Sequence, residues 1–251
     1  MHIAIVGFGK MGHVVYDTAT KAGHEIVSVI DPHAQDARVT ARSCDEKALS
    51  GADVIIEFSV PEGIEERIRT YSSAGIPAVI ATTGWYERLE AIEQEFDATR
   101  GAMIWSGNFA IGVHLFFSMV RSAAKLMNRF SEYDPVIQEL FHAGKGDSPS
   151  GTSHMLGKIL LDELSKKERV ESARLDRKRE DCEIHISAAR GGSHPGTHTL
   201  IFDSPVDTIE LTHRARSREG FAAGAIQAAS WISDGRTGFF SLDDMLADLT
   251  G

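Results

Sequence analysis

The sequence predicts an α/β protein in two parts: a doubly wound parallel sheet at the N-terminus and a second, α+β domain on a mixed open sheet. Three observations carry this. Short, almost continuous apolar runs alternate with helical patterns as far as Phe109, as buried parallel strands and their crossover helices do. A glycine-rich turn joins the first run to the first helix. After Phe109 the alternation gives way to a long helix, and later to three strand-like stretches with short connections.

Taken in order, His2–Val6 reads as a buried strand and runs into Gly7-Phe8-Gly9-Lys10-Met11-Gly12. The spacing is G-x-G-x-x-G. A helix follows, with Met11, Val14, Val15, Thr18 and Ala22 on one face and Gly23 as its stop. A second strand, Glu25 to Ile30, ends at Asp31, 19 residues after Gly12. This is the dinucleotide-binding fingerprint of a Rossmann-type sheet. Gly7 permits the tight turn, Gly9 lets the backbone approach a pyrophosphate, and Gly12 allows close helix–strand packing. Asp31 would accept from ribose hydroxyls and would repel a 2′-phosphate, so NADH is preferred and NADPH is the alternative. His33, Arg38 and Arg42 are the cations that could offset that preference.

Further strands are expected at 53–58, 77–81 and 101–105, with helices at about 62–73 and 85–96. Ligands of doubly wound sheets sit at the carboxyl ends of the strands, so Thr82, Thr83, Gly84, Asn108 and Phe109 fall on the cofactor side. A helix from Gly112 to about Asn128 leads to a strand at 134–139. The segment after it, from Glu139 to Ser153, carries His142 and Lys145 and then Pro149-Ser150-Gly151-Thr152. Pro149 ends regular structure, and Ser150 or Thr152 caps the next helix. The backbone N–H groups of Gly151 and Thr152 then lie at a helix start, where anions are favoured. A lysine, a histidine and a helix tip together suit a substrate carboxylate.

The helix after Thr152 should bury Met155, Leu156, Ile159, Leu160 and Leu164, and the charged stretch 166–179 reads as a solvated helix end and loop. Strands at 182–190, 197–202 and 208–215 follow, with antiparallel pairing expected across their short links. A helix at 218–233 has an apolar stripe of Phe221, Ala225, Ala228, Ala229 and Ile232, and Thr237 to Leu249 returns to the first domain.

Composition narrows the function. The formal net charge of -10 argues against non-specific binding to nucleic acid or to an anionic membrane. The longest apolar run, Ala110 to Val120, is too short for a bilayer. The chain opens directly on a strand, with no signal peptide expected. Cys44 and Cys182 stand alone, which suggests a reduced, cytoplasmic setting and no metal site.

The motifs together resemble the dihydrodipicolinate reductase (4-hydroxy-tetrahydrodipicolinate reductase) family over nearly the whole chain. The resemblance rests on Gly7–Gly12, Glu57-Phe58-Ser59 with Pro61, Thr82-Thr83-Gly84, Ser106–Phe109, and Lys145 with Asp147–Thr152. It continues through Arg190-Gly191-Gly192, Gly196–Thr199 and Glu210–His213 to Ser217-Arg218. The resemblance implies hydride transfer from NADH or NADPH to a cyclic, unsaturated dicarboxylate in lysine and diaminopimelate biosynthesis, by a cytoplasmic homotetramer. It implies a dinucleotide-binding domain of residues 1–109 with 219–251, and a substrate-binding and oligomerisation domain of residues 110–218. Cofactor contacts are implied at Gly7, Gly9, Lys10, Met11, Gly12, Asp31, Phe58, Thr82, Thr83, Gly84, Asn108 and Phe109. Substrate contacts are implied at His142, Lys145, Ser150, Gly151 and Thr152.

One position departs from the family's pattern of two adjacent histidines before x-x-K. The first is Phe141 here and only His142 remains. Phenylalanine cannot titrate, so Lys145 becomes the first choice for the acid, with His142 or a bound water behind it. Two alternatives stay open: a related dehydrogenase taking another imine or amino acid, and a nucleotide-binding homologue without turnover.

Overall fold

The computed structural model describes residues 1–97 and 101–250. Strands β1 (His2–Val6), β2 (Glu25–Ile30), β3 (Val54–Glu57), β4 (Ala78–Ile80) and β5 (Ala102–Trp105) alternate with helices α1 (Lys10–Lys21), α2 (Glu46–Leu49), α3 (Ile64–Ala74) and α4 (Leu89–Asp97). Next come α5 (Ile111–Met127), β6 (Asp134–Phe141), α6 (Gly151–Glu163), β7 (Arg169–Glu171), β8 (Glu183–Arg190), β9 (Thr197–Asp203) and β10 (Thr208–Arg214). The chain closes with α7 (Glu219–Ile232), β11 (Gly238–Ser241) and α8 (Leu242–Thr250). Two compact units result, Met1–Ala110 with Arg218–Gly251, and Ile111–Ser217.

The first unit is a six-stranded sheet in the order β11-β5-β4-β3-β1-β2, parallel throughout. Val54, Ile55 and Ile56 are buried in succession, as a strand covered on both faces requires. The buried residues of α1 are Gly12, Val15 and Ala19; of the expected face Val15 is buried, Met11, Val14 and Thr18 are half-buried, and Ala22 is exposed. Small residues there and on α7, which buries Gly224, Ala225 and Ala228, let the two helices pack together. Thr237 to Leu249 enters this unit as an edge strand and a helix; neither α2 nor β11 was predicted as a separate element.

The second unit is a five-stranded mixed sheet in the order β10-β9-β6-β8-β7. Its central strand, β6, is antiparallel to β9 and parallel to β8. The expected antiparallel pairing holds for β9 with β10, but β8 does not pair with β9, because β6 lies between them and pairs with both. Residues alternate between faces along β6 and β9. Ile137 and Leu200 meet in register beneath α5 and α6, with Phe116, Val120, Leu156 and Leu160 completing the core. Met155 is half-exposed and stands outside it.

The charged stretch 166–179 is also corrected. It holds β7, and its cations surround Glu183, which is fully buried. Arg177 Nη2 donates to Glu183 Oε1 at 2.6 Å and Arg169 Nη2 at 2.9 Å, and the carboxyl is held down at about 2, first by Arg177. Lys167 reaches Asp134 at 2.6 Å with its side chain only 8% exposed.

Candidate active site

On the cofactor side, β1 delivers the chain into the turn at Gly7, and Gly9 is the N-cap of α1. A Cβ on Gly7 would fall 2.4 Å from the Phe58 carbonyl oxygen, and its φ is +88°, so only glycine fits. No side chain caps α1 and no acid stands in its first turn, so the helix start at Lys10 and Met11 keeps its positive character. Nothing lies within 4 Å of the place a Gly9 Cβ would take. Such a helix tip suits a diphosphate.

Beside it is a cavity of about 460 Å³ whose wall includes Gly7, Gly9, Asp31, Arg42, Phe58 and Arg67. Asp31 has a dual position there. Its Oδ2 accepts the Phe8 N–H at 2.7 Å, and its Oδ1 accepts those of His33 at 2.8 Å and Ala34 at 2.7 Å. Burial pushes its carboxyl up, but the three donors prevail and hold it below the ordinary value. A carboxylate offers about four acceptor sites, so about one is left for a ribose hydroxyl. Arg38 is paired with Asp36 at 2.9 Å and lies over the Phe8 ring. Arg42 Nη1 donates to the carbonyls of Asp31 and Ala34. Cys44, also on the wall, has its thiol pushed up to about 11 by burial.

The loops after β3 and β4 are joined by a residue that sequence reasoning did not single out for the site. Glu57, fully buried, accepts from Arg67 Nη2 at 2.8 Å, Ser59 Oγ at 2.6 Å, Tyr71 Oη at 2.6 Å and Thr82 Oγ1 at 3.2 Å. Thr82 Oγ1 in turn accepts the Ser59 N–H at 3.0 Å. Burial, and then the Glu57 charge, push the Tyr71 phenol well above its ordinary value, so it stays a donor. Thr82 and Phe109 are only 2% and 1% exposed, and the Thr82 carbonyl accepts from Trp85 Nε1 at 2.7 Å, so both residues are enclosed. Thr83 and Gly84 are exposed, and Asn108 Oδ1 accepts the Ala110 N–H at 2.8 Å.

In the second unit the two-residue period of β6 places Ile137, Glu139 and Phe141 on one face. The apolar core thus grades into a polar cluster toward the carboxyl end of the strand. Glu139 is 3% exposed and sits in register with His198. It accepts from Ser150 Oγ at 2.6 Å, Ser153 Oγ at 2.5 Å, Arg190 Nη2 at 2.6 Å and the Ser150 N–H at 3.1 Å. Burial pushes this carboxyl up, yet His198, Ser150, Ser153 and Arg190 hold it far below the usual range. Ser150 is the N-cap of α6, its hydroxyl receiving the Ser153 N–H at 3.3 Å and standing 3.1 Å from His198 Nε2. Gly151 and Thr152 therefore open the helix, and their N–H groups are among the four that it cannot bond internally.

Lys145 belongs to the same cluster. Its Nζ is 2.7 Å from Asp147 Oδ1 and 4.7 Å from the centre of the Phe141 ring. The Asp147 carbonyl accepts from Arg190 Nη2 at 2.7 Å, which links Lys145 through Arg190 to Glu139 and Ser150. His142 is anchored by its backbone, which donates to the His194 carbonyl at 2.9 Å. The network brings Lys145 and Ser150 together through shared partners; Ser150 is nearly buried, so its hydroxyl shapes the helix tip instead of facing a ligand. Glu139, Arg190 and His198 were not expected here. Their signal was a glutamate placed in phase with Ile137 on an otherwise apolar strand face.

The glycine turn and helix tip beside a nucleoside-sized cavity put the first unit, by class, among dinucleotide-binding domains of the Rossmann type. Residues 1–109 match the family described as "Dihydrodipicolinate reductase, N-terminus", and residues 112–246 match "Dihydrodipicolinate reductase, C-terminus". A 4-hydroxy-tetrahydrodipicolinate reductase of Christiangramia forsetii is 36% identical over 249 residues, covering 99% of both chains. Another, from Archaeoglobus fulgidus, is 35% identical over 262 residues, covering 98% of this chain and all of that one. Among solved structures, the dipicolinate-bound dihydrodipicolinate reductase of Paenisporosarcina sp. TG-14 shares the fold, with a TM-score of 0.76 at 21% identity and 96% and 97% of the two chains covered. The chain belongs to the dihydrodipicolinate reductase family, a family of oxidoreductases. No helix among the described residues is long and apolar enough to cross a membrane.

Proposed function

We propose that this protein reduces 4-hydroxy-tetrahydrodipicolinate (dihydrodipicolinate) to tetrahydrodipicolinate in lysine and diaminopimelate biosynthesis, as a cytoplasmic homotetramer. Family membership supports the reaction. The observation that carries the substrate assignment is the cluster of the Lys145 ammonium, Arg190 and the capped start of α6, linked through Asp147 and Glu139. A cyclic diacid needs such anion-holding groups, and they lie in the unit without the glycine-rich turn.

The nicotinamide, when bound, supplies the hydride. Gly7, Gly9, Lys10, Met11 and Gly12 hold the diphosphate at the tip of α1, and Asp31 takes a ribose hydroxyl. Phe58, Thr82, Thr83, Gly84, Asn108 and Phe109 form the walls near the ring. Lys145 binds a substrate carboxylate by charge and is the first candidate to deliver the proton, with His142 next. Gly151 and Thr152 bind a carboxylate through their N–H groups, and Ser150 keeps that helix tip in place.

NADH should serve at least as well as NADPH. Asp31 repels a 2′-phosphate, and Arg38 already has Asp36 as its partner. A titration in which NADPH binds far more tightly would reverse this, and Arg42 would then be the residue to replace.

The test of the whole reading is direct. Substrate made fresh by the preceding synthase is supplied, and the loss of reduced-nicotinamide absorbance is followed. Brisk turnover is expected. Phe141 favours one second reading, a dehydrogenase for another imine or amino acid, which would oxidise NADH with that imine or reduce NAD+ with that amino acid, and do neither with the family substrate.

A further inference from the structure

Phe141 is the last residue of β6, and two cations address its ring. Lys145 Nζ lies 4.7 Å from the ring centre and Arg190 Cζ 5.5 Å, both within the reach of about 6 Å over which an aromatic face attracts a cation. The ring is itself held firmly. A Cβ on Gly196 would fall 2.6 Å and 2.8 Å from two of its carbons, so the ring rests directly on that glycine. Gly196 also has a φ of +138°, which a side chain would strain. The His198 ring meets Phe141 edge-on at 5.3 Å and is anchored in turn by Ser150.

Lys145 is not so constrained. It lies beyond the strand, in the loop, and its backbone N–H donates to the His142 carbonyl at 3.2 Å. Fixing a lysine side chain costs rotamer freedom. Its carboxylate partner, Asp147, is 56% exposed against 21% for Lys145, so water reaches the Asp147 end of the pair and weakens its hold. Of the two partners, the ring is the immobile one.

We propose that Phe141 is a positioning residue whose ring holds the Lys145 ammonium in one place, ready for a substrate carboxylate. This rests on the reading of Lys145 as the carboxylate-binding cation.

Two substitutions test it: Phe141→Leu removes the aromatic face and keeps apolar bulk, and Phe141→Tyr keeps the face. Calorimetry with dipicolinate, cofactor present, should show roughly ten-fold weaker binding for Phe141→Leu and binding within about two-fold of the parent for Phe141→Tyr. KM should rise more than kcat falls in the leucine variant. Parent-like affinity in a folded Phe141→Leu overturns the proposal, and so does a Phe141→Tyr as weak as Phe141→Leu. If the leucine variant does not fold, the parent still decides. With lysines reductively methylated with ¹³C, the Lys145 proton signal, identified by its loss in Lys145→Ala, should lie upfield of the exposed lysines; coincidence with them overturns the idea. Equal dipicolinate affinity of parent and Lys145→Ala removes the reading of Lys145 and this proposal with it. Loss in Lys145→Ala with full retention in Phe141→Leu removes the proposal alone.

Discussion

Glu57 and Glu139 hold similar places in two differently built sheets. Each is buried toward the carboxyl end of a strand with neighbours on both sides, and each receives an arginine and a serine hydroxyl. Their other donors differ. Glu57 takes Tyr71 from α3 and Thr82 from the next loop, so it ties two connections together at the end of a parallel sheet. For Glu139 the shared serine is itself the N-cap of α6 and the further donor is the Ser153 hydroxyl in the first turn, so it fixes a helix start. A nucleotide lies along loop backbones, and those need fixed spacing. A small diacid is held by point charges and a dipole, and those need aim. The contrast teaches that a buried carboxylate can serve either need, the outcome depending on what its donors belong to.

Removing the carboxylates altogether should have the largest effect. Glu57→Ala or Glu139→Ala leaves a buried guanidinium without its partner, at a cost of about 3–5 kcal/mol. A denaturant midpoint should show it in both variants; loss in one alone would break the likeness between the two sites.

Smaller changes sharpen the contrast. Glu139→Gln should weaken dipicolinate binding by about ten-fold, about 1.4 kcal/mol, while NADH binding stays near the parent value. Glu57→Gln should do the reverse. Calorimetry with each ligand checks both, and an equal loss of both ligands in either variant would mean that the carboxylates serve stability only.

Ser150→Ala should cost about 1 kcal/mol, as the loss of a helix cap does, and should weaken dipicolinate binding because the tip of α6 loses its hold. Thermal melts and the same calorimetry measure it. Ser59→Ala, which touches no helix cap, should leave dipicolinate binding alone.

The gentlest test changes only the pH. The Glu139 carboxyl is depressed in the folded state, so its contribution is complete above the ordinary glutamate value of about 4.3 and is lost as the pH falls below it. Melting temperature should therefore fall less steeply in acid for Glu139→Gln than for the parent. Parallel curves would show that the carboxyl titrates normally.

Much of this was legible in the chain. The strand–glycine–helix–strand–acid order of the first 31 residues can form one local unit, because a tight turn and a buried strand each leave a compositional mark. The same holds for Pro149–Thr152, where a cap residue follows a helix breaker. The order of the second sheet was not legible. Short connections suggested neighbouring strands, but Ile137 and Leu200 belong to one apolar layer, and only a packed core reveals that β6 fills the middle. The stretch 166–179 misled for a similar reason: a charged run implies solvent until a buried Glu183 gathers its arginines.

By itself the sequence determined what is periodic or adjacent: the strands, the glycine turn, Asp31, the Ser150 cap, and the closeness of Lys145 to a helix start. Tertiary structure alone decided the partners of the buried glutamates, the meeting of Phe141 with Lys145 and Arg190, and which hydroxyls are enclosed. The physical reason is range. Backbone geometry and capping act over a few residues and leave local patterns, whereas a carboxylate shut away from water must find its donors wherever the fold brings them, here 51 positions apart for Glu139 and Arg190.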